Sequence, residues 1–262
     1  MNTGVEKQKE TFEDIYSKSN NWSYWDDTDP LTRYLLERRL HIAVKHLMKM
    51  TNSLPQDWDV LVICGGVGGE GTVLANMGFR SVTVSDISEN AIQGCQIRDS
   101  RLKTKVMNAE NLDIPNESYD LVLVQDGLHH LPRPVLGLTE MIRVAKKAVI
   151  MIEPHAGIVA NLLGMEWEDH GGVVNYVFRW NKLMFEQAVK SYVLQVPCQI
   201  EVIRLWNHNL VMDKVGKIFG GGQSGKVVVQ LCYSLLDLFT RWLGNTTIGL
   251  FIKNSPLENH KQ

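Results

Sequence analysis

The feature that most constrains the fold is a glycine cluster between two short apolar runs in residues 58–90. The first run, residues 60–63, leads into the cluster, and the second run, residues 81–85, ends on Asp86. The segment between them predicts a short helix, because its apolar residues recur at helical spacing. A strand, a glycine turn, a helix and a second strand are therefore expected in that order. The cluster consists of Gly65, Gly66, Gly68, Gly69 and Gly71.

This unit predicts a site for a ligand that carries adenosine. Glycine has no side chain, so the backbone of the turn can approach a ligand closely, and the start of the helix offers free N–H groups. A carboxylate at the end of the second strand, here Asp86, can accept hydrogen bonds from both hydroxyls of a ribose.

Length and charge narrow the class of protein. The chain has 262 residues, of which 44% are hydrophobic and 21% charged, and this suits one globular domain with a substantial core. We predict a single domain over residues 1–262, with a helical and aromatic lid (1–50), a cofactor-binding core (55–155) and a C-terminal part with cap insertions and the final strands (156–262). The net charge of −2 gives no basic footprint for nucleic acid, which is not expected as a partner.

The cysteines, the N-terminal residues and one apolar stretch indicate the cellular compartment of the protein. The four cysteines, Cys64, Cys95, Cys198 and Cys232, form no CxxC pair, so no metal site is expected and a reducing compartment is favoured. The polar start lacks the apolar core of a signal peptide, and the prediction is a cytoplasmic protein. Residues 227–243 contain Gln230, Asp237 and Arg241, which a bilayer span tolerates poorly, so they predict a buried or amphipathic helix and no transmembrane segment. Core packing is favoured there, with a homodimer interface or a membrane-surface role as alternatives.

Strands and helices alternate five times in the first 155 residues. This alternation predicts a parallel sheet with helices on both faces. Ligands of such sheets bind at the carboxyl ends of the strands. One cleft is therefore expected from residues 65–68, Asp86, 108–110, 125–130 and 153–155.

Two N-terminal segments precede this core. Residues 11–29 are aromatic and acidic, and they predict either a segment packed on the main body or a lid over the cleft. Residues 31–50 predict a helix with one apolar stripe, and Asp29 is the expected cap before Pro30. Arg33, Arg38 and Arg39 are placed on the solvent side of this helix.

With its elements in this order, the sequence resembles the class I S-adenosylmethionine-dependent methyltransferases of the small-molecule type (type 11-like). The similarity covers residues 55–155 well and the flanks more loosely. The family's first motif, an acid, one further residue and then GxGxG, falls on Val62, Cys64, Gly66 and Gly68, so that Val62 replaces the acid and Cys64 the first glycine. The family's fourth motif, a strand followed by a Leu-His-His element, matches residues 120–131.

The resemblance implies the fold and the cofactor. The implied fold is α/β and Rossmann-like, a doubly wound, seven-stranded, mostly parallel sheet with an antiparallel C-terminal hairpin and helical lid segments. The implied cofactor is S-adenosylmethionine, with S-adenosylhomocysteine as product. In the absence of the usual acid, Gln125, Asp126 or backbone carbonyls would hold the methionine amino group. The residues implied in cofactor binding are Cys64, Gly65, Gly66, Gly68, Asp86, Ile87, Asn108, Ala109, Glu110, Gln125 and Asp126.

The resemblance also implies methyl transfer to an oxygen or nitrogen of a small-molecule acceptor, such as a sugar, a natural product or a lipid-like molecule. A hydroxyl acceptor needs a general base. The predicted catalytic residues are His129, His130 and His155, with His170 as a further candidate and Asp126 and Glu153 behind them.

Two other functions fit parts of the pattern. Gly66, Gly68 and Gly71 also satisfy the GxGxxG pattern of NAD-dependent oxidoreductases. Residues 108–110, the histidine pair and the final strand at 247–253 argue against that class. The second alternative is a protein that binds S-adenosylmethionine without transferring its methyl group, which the changes at Val62 and Cys64 leave open. Residues 220–226 resemble part of a phosphate-binding loop, but Val227 stands where a hydroxyl is required, so a flexible loop is predicted.

Overall fold

A computed structural model describes residues 4–17, 30–164, 166–169, 174–208, 214, 218–219 and 222–254. The strands of the main sheet are β1 (Asp59–Val62), β2 (Ser81–Asp86), β3 (Lys103–Val106), β4 (Tyr119–Gln125), β5 (Ala145–Pro154), β8 (Cys198–Leu205) and β9 (Thr246–Lys253). A separate two-stranded hairpin consists of β6 (Trp167–Asp169) and β7 (Val174–Tyr176). The helices are α1 (Gly4–Ser17), α2 (Pro30–Thr51), α3 (Gly69–Asn76), α4 (Glu89–Arg98), α5 (Pro134–Val144), α6 (Ile158–Leu163), α7 (Lys182–Val193) and α8 (Gln223–Thr240).

The seven-stranded sheet has the order β3-β2-β1-β4-β5-β9-β8. Strands β1 to β5 pair in parallel, whereas β9 is antiparallel to both of its neighbours. The predicted fold, a mostly parallel doubly wound sheet with an antiparallel C-terminal hairpin, is confirmed. Because β5 and β8 are both antiparallel to β9, they run in the same direction. The chain therefore leaves β8 at the edge where β1, β2, β4 and β5 end.

Two apolar layers fix the helices on the sheet. One face carries α2 and α3 through residues such as Leu40, Leu47 and Leu74. The opposite face carries α5 and α7 through residues such as Met141 and Phe185. Alternate residues of β1 and β4 enter opposite layers, as expected for a sheet buried on both sides.

The ends of several elements follow local rules. Ser88 caps α4, and its hydroxyl accepts a hydrogen bond from Ala91 N at 3.1 Å. Strand β5 begins at Ala145, which pairs with Tyr119 of β4. The predicted cap at Asp29 lies outside the described residues.

Helix α8 packs on α2 in a small third cluster made by Leu31, Leu35, Val229 and Tyr233. Among the described helices, none is both long and apolar enough to cross a bilayer.

Candidate active site

The glycine turn and Asp86 meet at neighbouring strand ends. The backbone N–H of Gly66 donates to Asp86 Oδ2 at 2.9 Å, and the N–H of Ser88 donates to Asp86 Oδ1 at 3.0 Å. Burial raises the pKa of the Asp86 carboxyl, and these backbone donors oppose that rise. The carboxyl group is therefore held in one orientation beside the turn, while Ile87 is half-buried next to it.

The turn has left-handed backbone at three positions. Gly66 has a φ of 48° and Gly68 a φ of 81°, which glycine adopts without strain. Cys64 has a φ of 51°, and this explains why the related family has a glycine at its position. A side chain on Gly68 would lie 2.4 Å from the sulfur of Cys95, so the turn also needs glycine there for space.

Helix α1 covers the turn. A Cβ atom on Gly66 would lie 2.7 Å from the Tyr16 hydroxyl, so Tyr16 sits directly against the turn. Glu13 accepts hydrogen bonds from the backbone N–H groups of Glu89 and Asn90 at the start of α4, at 2.6 and 3.1 Å. Residues 11–17 of the predicted aromatic segment thus lie over the glycine turn and the start of α4. Its remaining residues are outside the described part.

The loop after β4 is organised by Glu153, which is fully buried. Its carboxylate accepts from the backbone N–H groups of Gly127 and Leu128 at 2.9 and 2.7 Å. It also contacts Nδ1 of His129 at 2.6 Å. A carboxylate can only accept, so Nδ1 of His129 carries a proton, and in the neutral ring Nε2 has the lone pair. Burial alone would lower the pKa of His129, but the charge and hydrogen bond of Glu153 outweigh it and the pKa is raised.

His130 and Glu168 complete this side of the cleft. Glu168 of β6 lies 3.7 Å from Nε2 of His129 and 3.8 Å from Nδ1 of His130. Phe12 of α1 packs edge-on against His130, with ring centroids 5.6 Å apart. One ligand atom from each of His129, His130 and Glu168 lies within 4.8 Å of the others, so these three could hold a metal ion. The sequence did not predict this group, because Glu168 is distant in the chain from the histidine pair.

Arg39 of α2 reaches the end of β4. Its Nη1 donates to Oδ1 of Asp126 at 2.9 Å, and its Nη2 contacts the other carboxylate oxygen. Burial raises the pKa of Asp126, but the guanidinium of Arg39 reverses this effect and the pKa is lowered. Arg39 is only 5% exposed, and Arg38 is half-buried in an ion pair with Asp237. The prediction that both arginines face solvent is wrong, since carboxylates distant in sequence pair with them.

The remaining cofactor-side candidates lie at the end of β3. Asn108 Oδ1 accepts from the backbone N–H of Glu110 at 2.9 Å, and Ala109 is buried. The buried carboxylate of Glu110 accepts from Nε of Arg133 at 2.8 Å and pairs with its Nη2 at 2.7 Å. Glu110 is thereby fixed in position by Arg133.

His155 lies in a different environment from the histidine pair. Its Nδ1 contacts Thr247 Oγ1 at 2.7 Å, and that hydroxyl donates to the carbonyl of Trp180 at 3.0 Å. Burial, with a smaller effect of Arg204, lowers the pKa of His155 to about 4. The structure therefore holds His155 as a neutral ring at the corner between β5 and β9. His170 is outside the described residues.

The fold and this site define the class of the protein. Residues 61–152 match the family described as "Methyltransferase domain". The chain therefore carries a class I S-adenosylmethionine-dependent methyltransferase domain, and the resemblance seen in the sequence is confirmed.

Two mycobacterial methyltransferases are similar in sequence to about half of the chain. A probable phthiotriol/phenolphthiotriol dimycocerosates methyltransferase 2 of Mycobacterium ulcerans is 30% identical over 131 residues, which are 48% of this chain and 51% of the relative. A phthiotriol/phenolphthiotriol dimycocerosates methyltransferase of Mycobacterium leprae is 29% identical over 131 residues, 48% of each chain. The chain thus spans about half the length of the curated relatives it matches.

Solved structures share the fold. A chain from the complex between the Haloferax volcanii Trm112 methyltransferase activator and a putative methyltransferase has a TM-score of 0.58 at 14% identity, covering 84% of this chain and 92% of that chain. The magnesium protoporphyrin IX methyltransferase of Synechocystis PCC 6803, with bound S-adenosylhomocysteine, has a TM-score of 0.55 at 11% identity, covering 96% and 100%. At these identities the likeness concerns the fold.

Proposed function

We propose that this protein transfers the methyl group of S-adenosylmethionine to a hydroxyl oxygen of a lipid-like small molecule. The domain family supports methyl transfer, and the two mycobacterial relatives, named for phthiotriol esters, support the lipid-like acceptor. When bound, the cofactor supplies a methyl group on a sulfonium, and in-line displacement transfers it to the acceptor and leaves S-adenosylhomocysteine.

The observation that carries the choice of cofactor is the negative charge around the glycine turn. Burial raises the pKa of the Cys64 thiol, and four carboxylates raise it further, those of Asp86, Glu153, Glu110 and Glu70. Such surroundings favour a cation, and S-adenosylmethionine carries a sulfonium and an ammonium group.

The same charge disfavours NAD. In dinucleotide-binding folds the pyrophosphate sits at the start of the helix that follows the glycine turn. Here Glu70 occupies the first turn of α3 and is 8% exposed. A carboxylate at that place would repel a pyrophosphate.

Two buried polar atoms fit the methionine end of the cofactor. Nε of Arg39 and Oε1 of Gln125 are buried, and neither has a hydrogen-bond partner among the described residues. A guanidinium N–H suits a carboxylate, and an amide oxygen suits an ammonium group. We propose that Arg39 and Gln125 hold these two groups, which would compensate for Val62 in the place of the usual acid.

We propose Asp86 as the acceptor of the ribose hydroxyls, with the backbone of Cys64, Gly65, Gly66 and Gly68 and the half-buried Ile87 around the nucleoside. Residues Asn108, Ala109 and Glu110 complete the adenine side. Glu110 suits this role because Arg133 holds its carboxylate in place. Asp126 contributes by orienting Arg39.

His129 is the proposed base for the acceptor hydroxyl. Glu153 holds the proton on Nδ1, so Nε2 can take the hydroxyl proton as the oxygen–carbon bond forms, and Glu153 then stabilises the imidazolium. A base of this kind contributes typically ~10²–10⁴-fold to the rate. His130 and Glu168 would border the acceptor. His155 is the weaker candidate, since the partner of its Nδ1 is the hydroxyl of Thr247 and not a carboxylate, and burial lowers its pKa to about 4.

The test combines binding and turnover. Calorimetry is expected to show binding of S-adenosylmethionine to the wild type and no binding of NAD. Asp86→Ala should weaken the S-adenosylmethionine affinity by about tenfold or more, since a hydrogen bond to a charged group contributes about 1.5–3 kcal/mol. Asp113→Ala, at an exposed carboxylate, is the matched control. Unchanged affinity in Asp86→Ala would remove the ribose assignment.

Turnover is then measured with methyl-labelled cofactor and, separately, the lipid and polar fractions of a cell extract. Label in a product of the lipid fraction supports the proposal, and label only in the polar fraction contradicts the lipid-like acceptor. Binding without any release of S-adenosylhomocysteine would identify the protein as a non-methylating binder.

A further inference from the structure

Three side chains of the cleft, those of His129, His130 and Glu168, have the spacing of ligands around one metal ion. Oε2 of Glu168 lies 3.7 Å from Nε2 of His129 and 3.8 Å from Nδ1 of His130. Both distances are longer than those of N–H···O hydrogen bonds, which are about 2.7–3.2 Å. Two ligands of a tetrahedral zinc ion, with bonds of about 2.0–2.2 Å, lie about 3.4 Å apart. A shared ion therefore fits this gap better than hydrogen bonds do.

The chemistry of the three ligand atoms favours Zn²⁺. Two imidazole nitrogens and one glutamate oxygen, with water at the fourth position, form a common set of zinc ligands in enzymes. Mg²⁺ instead prefers carboxylate, carbonyl and water oxygens. The two histidines thus select Zn²⁺ against Mg²⁺.

The ring of His129 is oriented for coordination by Glu153. The carboxylate of Glu153 contacts Nδ1 at 2.6 Å, so in the neutral ring the lone pair is on Nε2, which is the ring atom that faces Glu168. Histidines that bind metals commonly donate their other N–H to a carboxylate in this way, which fixes the ring and makes the ligand more basic. Glu153 is fully buried, and its negative charge behind the ring favours a cation at Nε2.

The other two ligands are held by separate elements. Glu168 of β6 pairs with Asn175 of β7, and Nδ2 of Asn175 donates to the carbonyl oxygen of His129 at 3.4 Å. This contact joins the hairpin to the loop after β4. The ring of His130 packs against Phe12 of α1. The side chains of His129, His130 and Glu168 are 5%, 19% and 27% exposed, so the three ligands are shielded but an ion can reach them from solvent.

We propose that His129, His130 and Glu168 form a Zn²⁺ site in the cleft. A ring nitrogen has one lone pair, so Nε2 of His129 cannot bind the ion and accept a proton at the same time. Bound Zn²⁺ is therefore expected to inhibit methyl transfer, a consequence that rests on the proposed function, in which His129 is the base. The site itself does not depend on that function.

The experiment is calorimetric titration of the metal-free full chain with Zn²⁺ and, separately, with Mg²⁺. Wild type is expected to have one tight site for Zn²⁺ and none for Mg²⁺. Glu168→Gln and His130→Ala should each weaken the Zn²⁺ affinity at least about 100-fold, because loss of a group that only orients a ligand already costs about 10–100-fold. The matched controls are Glu201→Gln and His46→Ala, at a surface pair whose side chains are 2.8 Å apart, and both should bind Zn²⁺ as wild type does.

Circular dichroism checks that each variant is folded. If His130→Ala unfolds, Glu168→Gln decides the test, because it keeps the shape of a partly exposed side chain on the hairpin. The proposal is overturned if wild type binds no Zn²⁺, or if the site variants bind it as tightly as the controls do.

Turnover with methyl-labelled cofactor tests the inhibition. Excess Zn²⁺ should stop the release of S-adenosylhomocysteine by wild type, and a chelator should restore it. Glu168→Gln should be less sensitive to Zn²⁺, relative to its own rate without metal. Faster release in the presence of Zn²⁺ contradicts the inhibition. If the metal-free protein methylates nothing, the proposed function fails, while calorimetry still decides whether the Zn²⁺ site exists.

Discussion

Replacing His155 by glutamine is expected to make the stability of the protein less sensitive to acid. His155 is 7% exposed and contacts Thr247 through Nδ1. Burial lowers its pKa from 6.5 to about 4. The folded protein thus favours the neutral ring, whereas the unfolded chain takes up a proton near the ordinary pKa.

The sign and size of the effect follow from this difference. Between pH 6.5 and about 4 the unfolded state binds more protons at this residue than the folded state, so stability falls as the pH falls. The contribution is fully present above the unfolded pKa. Since one pKa unit corresponds to about 1.4 kcal/mol, about 2 kcal/mol is lost by about pH 5 and about 3 kcal/mol by about pH 4.

The assay is urea unfolding of the wild type and His155→Gln at several pH values from about 7 to about 5. Glutamine does not titrate and can keep a donor towards Thr247. With an m-value of about 2 kcal/mol per M, the midpoint of the wild type should fall about 1 M further than that of the variant over this range. Other titrating groups contribute equally to both proteins.

His41→Gln, at an exposed histidine of α2, serves as the control and should keep the pH dependence of the wild type. The reasoning is refuted if His155→Gln loses as much stability on acidification as the wild type does. If the variant is less stable at every pH but its stability depends on pH as that of the wild type does, then His155 stabilises the fold by packing and its titration has no effect.

Two further predictions concern the cleft. Glu153→Gln should lower the pKa of His129, because the carboxylate charge is the main effect that raises it. The acid limb of the plot of kcat/KM against pH should then move to lower pH in Glu153→Gln. His129→Gln removes the proposed base, so it should reduce kcat about 10²–10⁴-fold and leave the cofactor affinity intact. An acid limb that does not move in Glu153→Gln contradicts the proposed base. Arg39→Gln should reduce the free energy of unfolding by about 1–3 kcal/mol, since it leaves the carboxylate partner of Arg39 without its charged donor. Arg33→Gln, at an exposed position of the same helix, should cost less than about 1 kcal/mol in the same melt.

Local sequence patterns were sufficient for the architecture. In residues 58–90, strand and helix periodicities and the glycine turn all lie within one short segment, so no distant contact was needed to recognise them. The cap at Ser88 could be predicted for the same reason, because its hydrogen bond reaches only to Ala91. The alternation of these units then predicted a parallel sheet, whose strand ends bring Gly66 and Asp86 together.

The charged side chains of the cleft interact with partners that are distant in the sequence. The sequence predicted that Arg39 faces solvent, because the apolar stripe of a helix shows only which side of that helix is buried. Its partner Asp126 is 87 residues away, and the two meet only when α2 packs on the sheet. Glu168 likewise reaches the histidine pair only because the β6–β7 hairpin folds over the cleft.

The sequence by itself therefore determined the order of strands and helices, the sheet and the place of the cleft, because these follow from patterns between near neighbours in the chain. Only the tertiary structure decided which histidine is coupled to a carboxylate, which one is held neutral, and which residues of α8 pack on α2. Those properties depend on burial and on charges brought together from distant segments, and a one-dimensional pattern does not contain either.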